Sequence, residues 1–221
     1  MSHRVPALRS LSLAFLLLLV GCGSALSAGI LYDQPWDHLG NAFDSQDDPT
    51  GGQGNFATSY DDFALPSGGT VAMVGWLGMY SDTTSPRNLA GFTIAVYADA
   101  GGQPGSMLQD WHISGDAGET PAGSPQGVEF YQYSAGISFV AAAGTEYWLS
   151  VVPDLGWPPS WGWATGTGGD EIMYIDLYGT RYENTNDLAF TLESSTVPEP
   201  FTLPLIGAGL AALAVWRRRA G

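Results

Sequence analysis

The 221-residue chain has no lysine, one cysteine and three histidines. Without lysine there is no Schiff-base chemistry. The cysteine, Cys22, lies near the N-terminus, so the rest of the chain holds neither a disulfide nor a thiol nucleophile. Beyond residue 28 the only histidines are His38 and His112, too few for a three-histidine zinc site. They read as an isolated turn residue and an isolated strand-face residue. No HExxH, GxSxG or Walker string occurs. Gly-Thr-Gly-Gly at 166–169 is followed by no helical pattern, which removes it as a phosphate cradle. Positive charge is scarce as well. Of seven arginines, Arg4, Arg9, Arg217, Arg218 and Arg219 sit in the terminal segments. Residues 29–196 keep Arg87 and Arg181 against 21 acids, a net charge of 2 − 21 = −19. Such a surface repels phosphate backbones and anionic headgroups, so no nucleic-acid partner is expected. It suits an exported soluble protein or one that gathers divalent cations.

The two ends carry addresses. Residues 1–28 read as a signal peptide, with Arg4 and Arg9, an apolar run over 11–20 and small residues to Ala28. Cleavage is expected after Ser27 or Ala28. A second reading stays open: Leu19-Val20-Gly21-Cys22 resembles a bacterial lipobox, in which Cys22 is lipidated and anchors the chain as a lipoprotein. At the other end, Val197-Pro198-Glu199-Pro200 precedes an apolar run over 201–216 and then Arg217, Arg218 and Arg219. Sixteen helical residues span about 24 Å. That is short of a hydrocarbon core of roughly 30 Å, a gap that snorkelling arginines and a thinned bilayer close. The arginines belong on the cytoplasmic side, so the preceding domain emerges on the far side. Pro198 and Pro200 hold the motif extended, outside any helix.

Residues 197–221 resemble the PEP-CTERM sorting signal: a Pro-Glu-Pro motif, one transmembrane helix and a basic end. The resemblance implies recognition of Pro198, Glu199 and Pro200 by an exosortase, a membrane-embedded transpeptidase-like enzyme. It also implies cleavage near the motif and release or attachment at the surface of a cell that makes exopolysaccharide. A plain tail anchor is the competing reading. The expected location is the cell envelope, cell surface or extracellular space, with the C-terminal helix in the membrane before processing.

Residues 29–196 read as one all-β domain. Helical periodicity is nearly absent, while alternating or short apolar runs recur between Gly, Pro, Asp and Ser. Strands are expected at 55–65, 70–80, 91–99, 107–114, 128–134, 137–140, 146–152, 161–165, 171–176 and 188–193. About ten short strands indicate a jelly-roll-type β-sandwich. Trp76 and Trp148 fall inside strand patterns and read as core. Long polar segments at 115–127 and 153–170 are expected as irregular loops. The domain is also similar to small exported jelly-roll domains that precede PEP-CTERM signals. Tyr60-Asp61-Asp62-Phe63, Gly75-Trp76-Leu77-Gly78-Met79-Tyr80 and Glu146-Tyr147-Trp148-Leu149-Ser150 carry the resemblance, which implies fold but no chemistry.

Two clusters are candidate sites. Trp157-Pro158-Pro159-Ser160-Trp161-Gly162-Trp163 presents three indoles within seven residues. Rigid aromatic surface suits the C–H face of a sugar ring, with Asp154 and Asp170 near enough in sequence to take hydroxyls. Against this, Trp161 and Trp163 alternate onto one strand face and would fill the core. Asp44-Ser45-Gln46-Asp47-Asp48 reads as an acidic loop that could give oxygen ligands to Ca²⁺ through Asp44, Asp47 and Asp48, although it departs from the EF-hand pattern. A solvated loop is the plainer reading. Asp61 and Asp62 point to opposite strand faces, so at most one joins a given site. Together these observations favour an exported, non-catalytic surface or matrix protein, sorted by an exosortase and linked to biofilm or exopolysaccharide. The alternatives are a carbohydrate-binding module using the aromatic loop, or a small glycan-active enzyme with paired carboxylates.

Overall fold

A computed structural model describes residues 26–27, 29–195 and 197–198. The leader up to residue 25, including Cys22, lies outside the described residues, as do Glu199, Pro200, the apolar run and the three terminal arginines. Among the described residues no helix is long and apolar enough to cross a membrane. The chain divides into two compact units, one of them Ala28–Ser195. In the other, β1 (Leu26–Ser27) pairs antiparallel with β17 (Val197–Pro198), Ser27 opposite Val197.

The unit Ala28–Ser195 contains β2 (Ile30–Gln34), β3 (Ala42–Asp44), β4 (Gln46–Asp48), β5 (Gly54–Ala64), β6 (Gly69–Tyr80), β7 (Leu89–Asp99), β8 (Pro104–Ser114) and β9 (Thr120–Gly123). After a short 3₁₀ turn follow β10 (Phe130–Ala141), β11 (Glu146–Leu155), β12 (Trp161–Gly166), β13 (Met173–Leu177), β14 (Thr180–Asn184), β15 (Asp187–Leu188) and β16 (Phe190–Ser194). They form two sheets, so the fold is all-β, a sandwich consistent with the jelly-roll type. One sheet runs β14-β13-β5-β4-β11-β7-β8, with β5 also pairing β11 directly. The other is built on β6, which pairs β10 along one edge. On its other edge β6 pairs β16 through its first half and β12 through its second. β3, β15, β9 and β2 complete that sheet. Consecutive long strands cross between sheets, as β5 to β6 to β7 and β10 to β11 to β12 do, so each sheet's inner face is covered by its sequence neighbours.

The core lies between the sheets. Trp76 and Tyr133 stack with ring centroids 5.6 Å apart. Phe92 packs against both, at 5.2 and 5.0 Å. Trp161 closes the cluster on Phe92 at 5.7 Å. Such edge-on and offset contacts suit the ring quadrupoles and add to the burial of large apolar area. Trp76, Trp148, Trp161 and Trp163 are all essentially inaccessible to solvent. Gly78 admits the Trp161 ring: a Cβ there would coincide with the indole. The segment at 115–127 is less irregular than its composition suggests. It contains β9, and Glu119 pins it by accepting hydrogen bonds from Tyr80 at 2.7 Å, Tyr133 at 2.9 Å and Arg87 at 3.2 Å. The separate strands expected at 128–134 and 137–140 are one strand, β10, with a bulge between Gly136 and Phe139.

Two substitutions test this packing. Gly78→Ala is expected to destabilise by about 1–3 kcal/mol through overpacking, and Trp161→Ala by about 3–5 kcal/mol through cavity formation. Urea denaturation midpoints measure both. A Gly78→Ala chain as stable as the parent would mean that the indole does not sit on that backbone.

Candidate functional site

The two sequence candidates, the acidic run and the aromatic loop, come together at one end of the sandwich. The acidic run is not a loop. Asp44 ends β3, Asp48 ends β4, and Ser45 and Gln46 between them are buried. The Gln46 amide bonds three backbone groups of the aromatic segment. Its nitrogen donates to the carbonyls of Leu155 at 2.7 Å and Pro159 at 3.2 Å, and its oxygen accepts from the Trp161 N–H at 2.8 Å. Polar groups buried this way stay in place because each lost bond leaves a desolvated partner.

Asp48 is also buried and also holds the aromatic segment. Its carboxylate accepts from the N–H groups of Gly51 at 2.6 Å, Gln53 at 3.2 Å and Trp157 at 3.2 Å. Desolvation pushes its pKa upward, but these hydrogen bonds together outweigh that and leave it lowered. Asp47 faces elsewhere. It lies opposite Asp154 in the parallel β4–β11 pairing, and burial and then Asp154 raise its pKa. Asp44 opens toward solvent on the aromatic side, where partial desolvation raises its pKa. The three carboxylates thus have three different surroundings. Among the described residues no three His, Cys, Asp or Glu side chains are grouped to hold a metal ion.

The three indoles are likewise not one platform. Trp161 and Trp163 are buried, their ring N–H groups donating to the Tyr133 hydroxyl at 3.3 Å and the Ala189 carbonyl at 2.9 Å. Neither can meet a ligand in this fold, because strand β12 turns both into protein. Trp157, outside the strand and followed by cis bonds to Pro158 and Pro159, is 50% exposed. It lines a cleft of about 310 Å³ with Asp44, Gln53, Phe56, Ser160, Leu177 and Tyr178. Phe56 is the buried floor, stacked on Tyr178 at 5.8 Å. Tyr178 is the residue that sequence reasoning missed. It occupies the two-residue β13–β14 turn with Gly179, at φ values of +49° and +80°, and its N–H donates to the Phe56 carbonyl at 2.7 Å. Turns with two positive φ values favour Asn-Gly, so Tyr178 is an unusual occupant of this turn.

Asp61 and Asp62 diverge as alternation requires. Asp61 points inward and is fully buried. Its carboxylate accepts from the N–H of Leu188, in the opposite sheet, and from the N–H of Asp62. The Gln34 amide, oriented to donate to Asp61 at 2.8 Å, accepts from the Tyr32 hydroxyl at 3.0 Å. Burial raises the Asp61 pKa well above the usual carboxylate range. Asp62 is half-buried on the other face, where burial first, then Asp170 and Glu146, push it up to about 7. Asp187 accepts from the N–H groups of Gly169 at 2.8 Å and Glu171 at 2.7 Å. His112 lies 3.3 Å from Asp154, and neither lines the cleft.

Residues 196–219 match the PEP-CTERM protein-sorting motif. No curated protein matches the chain. The motif implies an exported, envelope-associated chain processed by an exosortase. The matched segment includes Pro198, Glu199 and Pro200 and the arginines at 217–219.

The raised carboxylates predict an inverted pH response. Asp62 binds its proton more tightly folded than unfolded. Its contribution to stability is therefore complete below the ordinary carboxylate range and is lost as pH rises through about 7. Asp62→Asn is expected to raise the melting midpoint at pH 8 by several degrees, at roughly 2–4 °C per kcal/mol, and to leave it nearly unchanged at pH 4. A variant whose midpoint tracks the parent across that window would contradict the assignment.

Proposed function

We propose that this protein is a non-catalytic component of the cell surface or extracellular matrix, delivered by exosortase processing, and that its partner there is extracellular polysaccharide in a biofilm. The observation that carries this reading is the sorting motif over residues 196–219, joined to a sandwich of net charge −19. The acid surplus keeps the domain soluble outside the cell and away from anionic surfaces. The buried carboxylates support a structural assignment. Asp48, Asp61 and Asp187 are each engaged by backbone N–H groups, which leaves them occupied rather than poised for proton transfer. The exposed Trp157 supports a second, more specific reading, in which the sandwich binds glycan directly.

Intact mass and fractionation test delivery. In a host with an exosortase, the mature chain is expected outside the cytoplasm, lacking the leader and the residues beyond the Pro-Glu-Pro motif. Replacing Pro198, Glu199 and Pro200 with alanine is expected to leave the C-terminal segment attached and the chain in the membrane fraction. The same mass spectrum shows whether Cys22 is retained with a lipid. An intracellular, unprocessed parent chain in that host would sink the proposal.

A further inference from the structure

We propose that the cleft lined by Trp157 and Tyr178 binds a neutral hexose unit of an extracellular polysaccharide, at the pole of the sandwich opposite both of its chain connections. The proposal rests on the polysaccharide reading above and gives that reading a site. Four observations support it.

First, the chemistry of the lining is that of a sugar site. Trp157 and Tyr178 are 50% and 69% exposed, and they share one concavity floored by Phe56. Apolar ring faces there can take the C–H face of a pyranose with little loss of side-chain entropy. Asp44, Gln53 and Ser160 line the same space. Among the described residues none of those three side chains has a protein hydrogen-bond partner, so all are free for ligand hydroxyls. The volume of about 310 Å³ lies at the lower end for small-molecule sites, roughly 300–1,000 Å³.

Second, the site is built. Asp48 holds the Trp157 N–H, and Gln46 holds the carbonyls on either side of the segment, at Leu155 and Pro159. Two buried polar side chains therefore fix a surface indole that contributes little to the core.

Third, Tyr178 stands where local energetics disfavour it. A left-handed φ of +49° suits Asn or Gly, not an aromatic residue. Its ring gains the stack on Phe56 yet stays 69% exposed, so most of it faces the cleft rather than the core.

Fourth, charge and topology select the ligand and its approach. Asp44 is in the cleft, and the domain carries −19, so a uronate chain is repelled while a neutral one is not. The start of β2 and the end of β16 lie side by side, the Ser194 N–H donating to the Gly29 carbonyl at 2.8 Å. They sit at the beginning of β6, where Ser194 pairs Val71. The cleft lies at the other end of β6, where Trp161 pairs Tyr80 and Ser81 bonds Ser160. Nine residues of strand, about 30 Å, separate the two. Neither chain connection borders the cleft.

Affinity electrophoresis of the full chain in detergent, through gels containing mixed-linkage β-glucan, galactomannan or polygalacturonate, tests this. Retardation by at least one neutral glycan and none by polygalacturonate is expected. Trp157→Ala and Tyr178→Asn are each expected to weaken retardation roughly tenfold or more, whereas Val140→Ser at the opposite pole leaves it unchanged. Tyr178→Asn relieves the backbone, so its melting midpoint should equal or exceed the parent's while binding falls, which a structural role would not produce. Parent retardation unaffected by either cleft variant would overturn the site and leave the polysaccharide reading standing. No retardation of the parent by either neutral glycan would overturn both, with sorting still judged by mass. Stronger retention by polygalacturonate would overturn the choice of a neutral ligand.

Discussion

The Trp161 indole lies on the bare backbone of Gly78, and the cleft end of the sandwich depends on that contact. With no Cβ at Gly78, the ring reaches Phe92 and Tyr133, and its N–H finds the Tyr133 hydroxyl. This anchors the start of β12 on β6 and so sets where the preceding segment must leave the core. Gln46 then bonds both the segment and Trp161 itself, and Ser81 bonds Ser160 on both sides of its peptide. Between two fixed points, Leu155 and Trp161, the chain has no room to fold Trp157 inward. The exposure of one indole follows from the burial of its neighbour.

A second constraint is the shortage of cations. A domain with 21 acids and two arginines cannot neutralise its carboxylates with salt bridges. It uses backbone N–H groups instead, at Asp48, Asp61 and Asp187. Hydrogen bonds of this kind favour the charged form, and burial opposes it. Where the donors prevail, as at Asp48, the pKa falls; where burial prevails, as at Asp61, it rises. Each arginine is correspondingly overused. Arg87 lies over the Tyr80 and Tyr131 rings, at 4.2 and 4.7 Å, while bonding Glu119. Arg181 bonds Asp176 with two nitrogens and the Pro104 carbonyl with a third. Both tie segments together, and neither lines the cleft.

The long strands were legible because apolar runs recur between Gly, Pro, Asp and Ser, with clean alternation at Phe92, Ile94 and Val96 of β7 and a looser one in β6. The short ones were not. β3 and β4 span three residues each, too few to show a period, and acids are rare in strands. Their burial comes from Ser45 and Gln46, polar residues whose partners are over a hundred positions away. Hence the run from Asp44 to Asp48 read as a solvated loop. Alternation put Trp161 and Trp163 on one strand face, and Trp157, outside that strand pattern, was the indole of the three to expect at the surface. Tyr178 was invisible for a related reason. A Tyr-Gly turn has no strong local signature, and its approach to Phe56 depends on β13 pairing with β5. The sorting tail was the most legible part, since its information is linear and needs no fold to be read.

Isolated apolar side chains on a surface carry little meaning. Ile30, Leu39, Met107, Leu108 and Val140 are exposed here without lining the cleft. What distinguishes the Trp157–Tyr178 end is connectivity. β2 and β16 are antiparallel neighbours, so the start of one and the end of the other must fall at the same pole. The other pole is then left entirely to internal turns, which the sheet pairings hold at their bases and leave free at their tips. An antiparallel sandwich closed in this way separates the end that carries both of its chain connections from the end that carries Trp157 and Tyr178 by the full length of its strands.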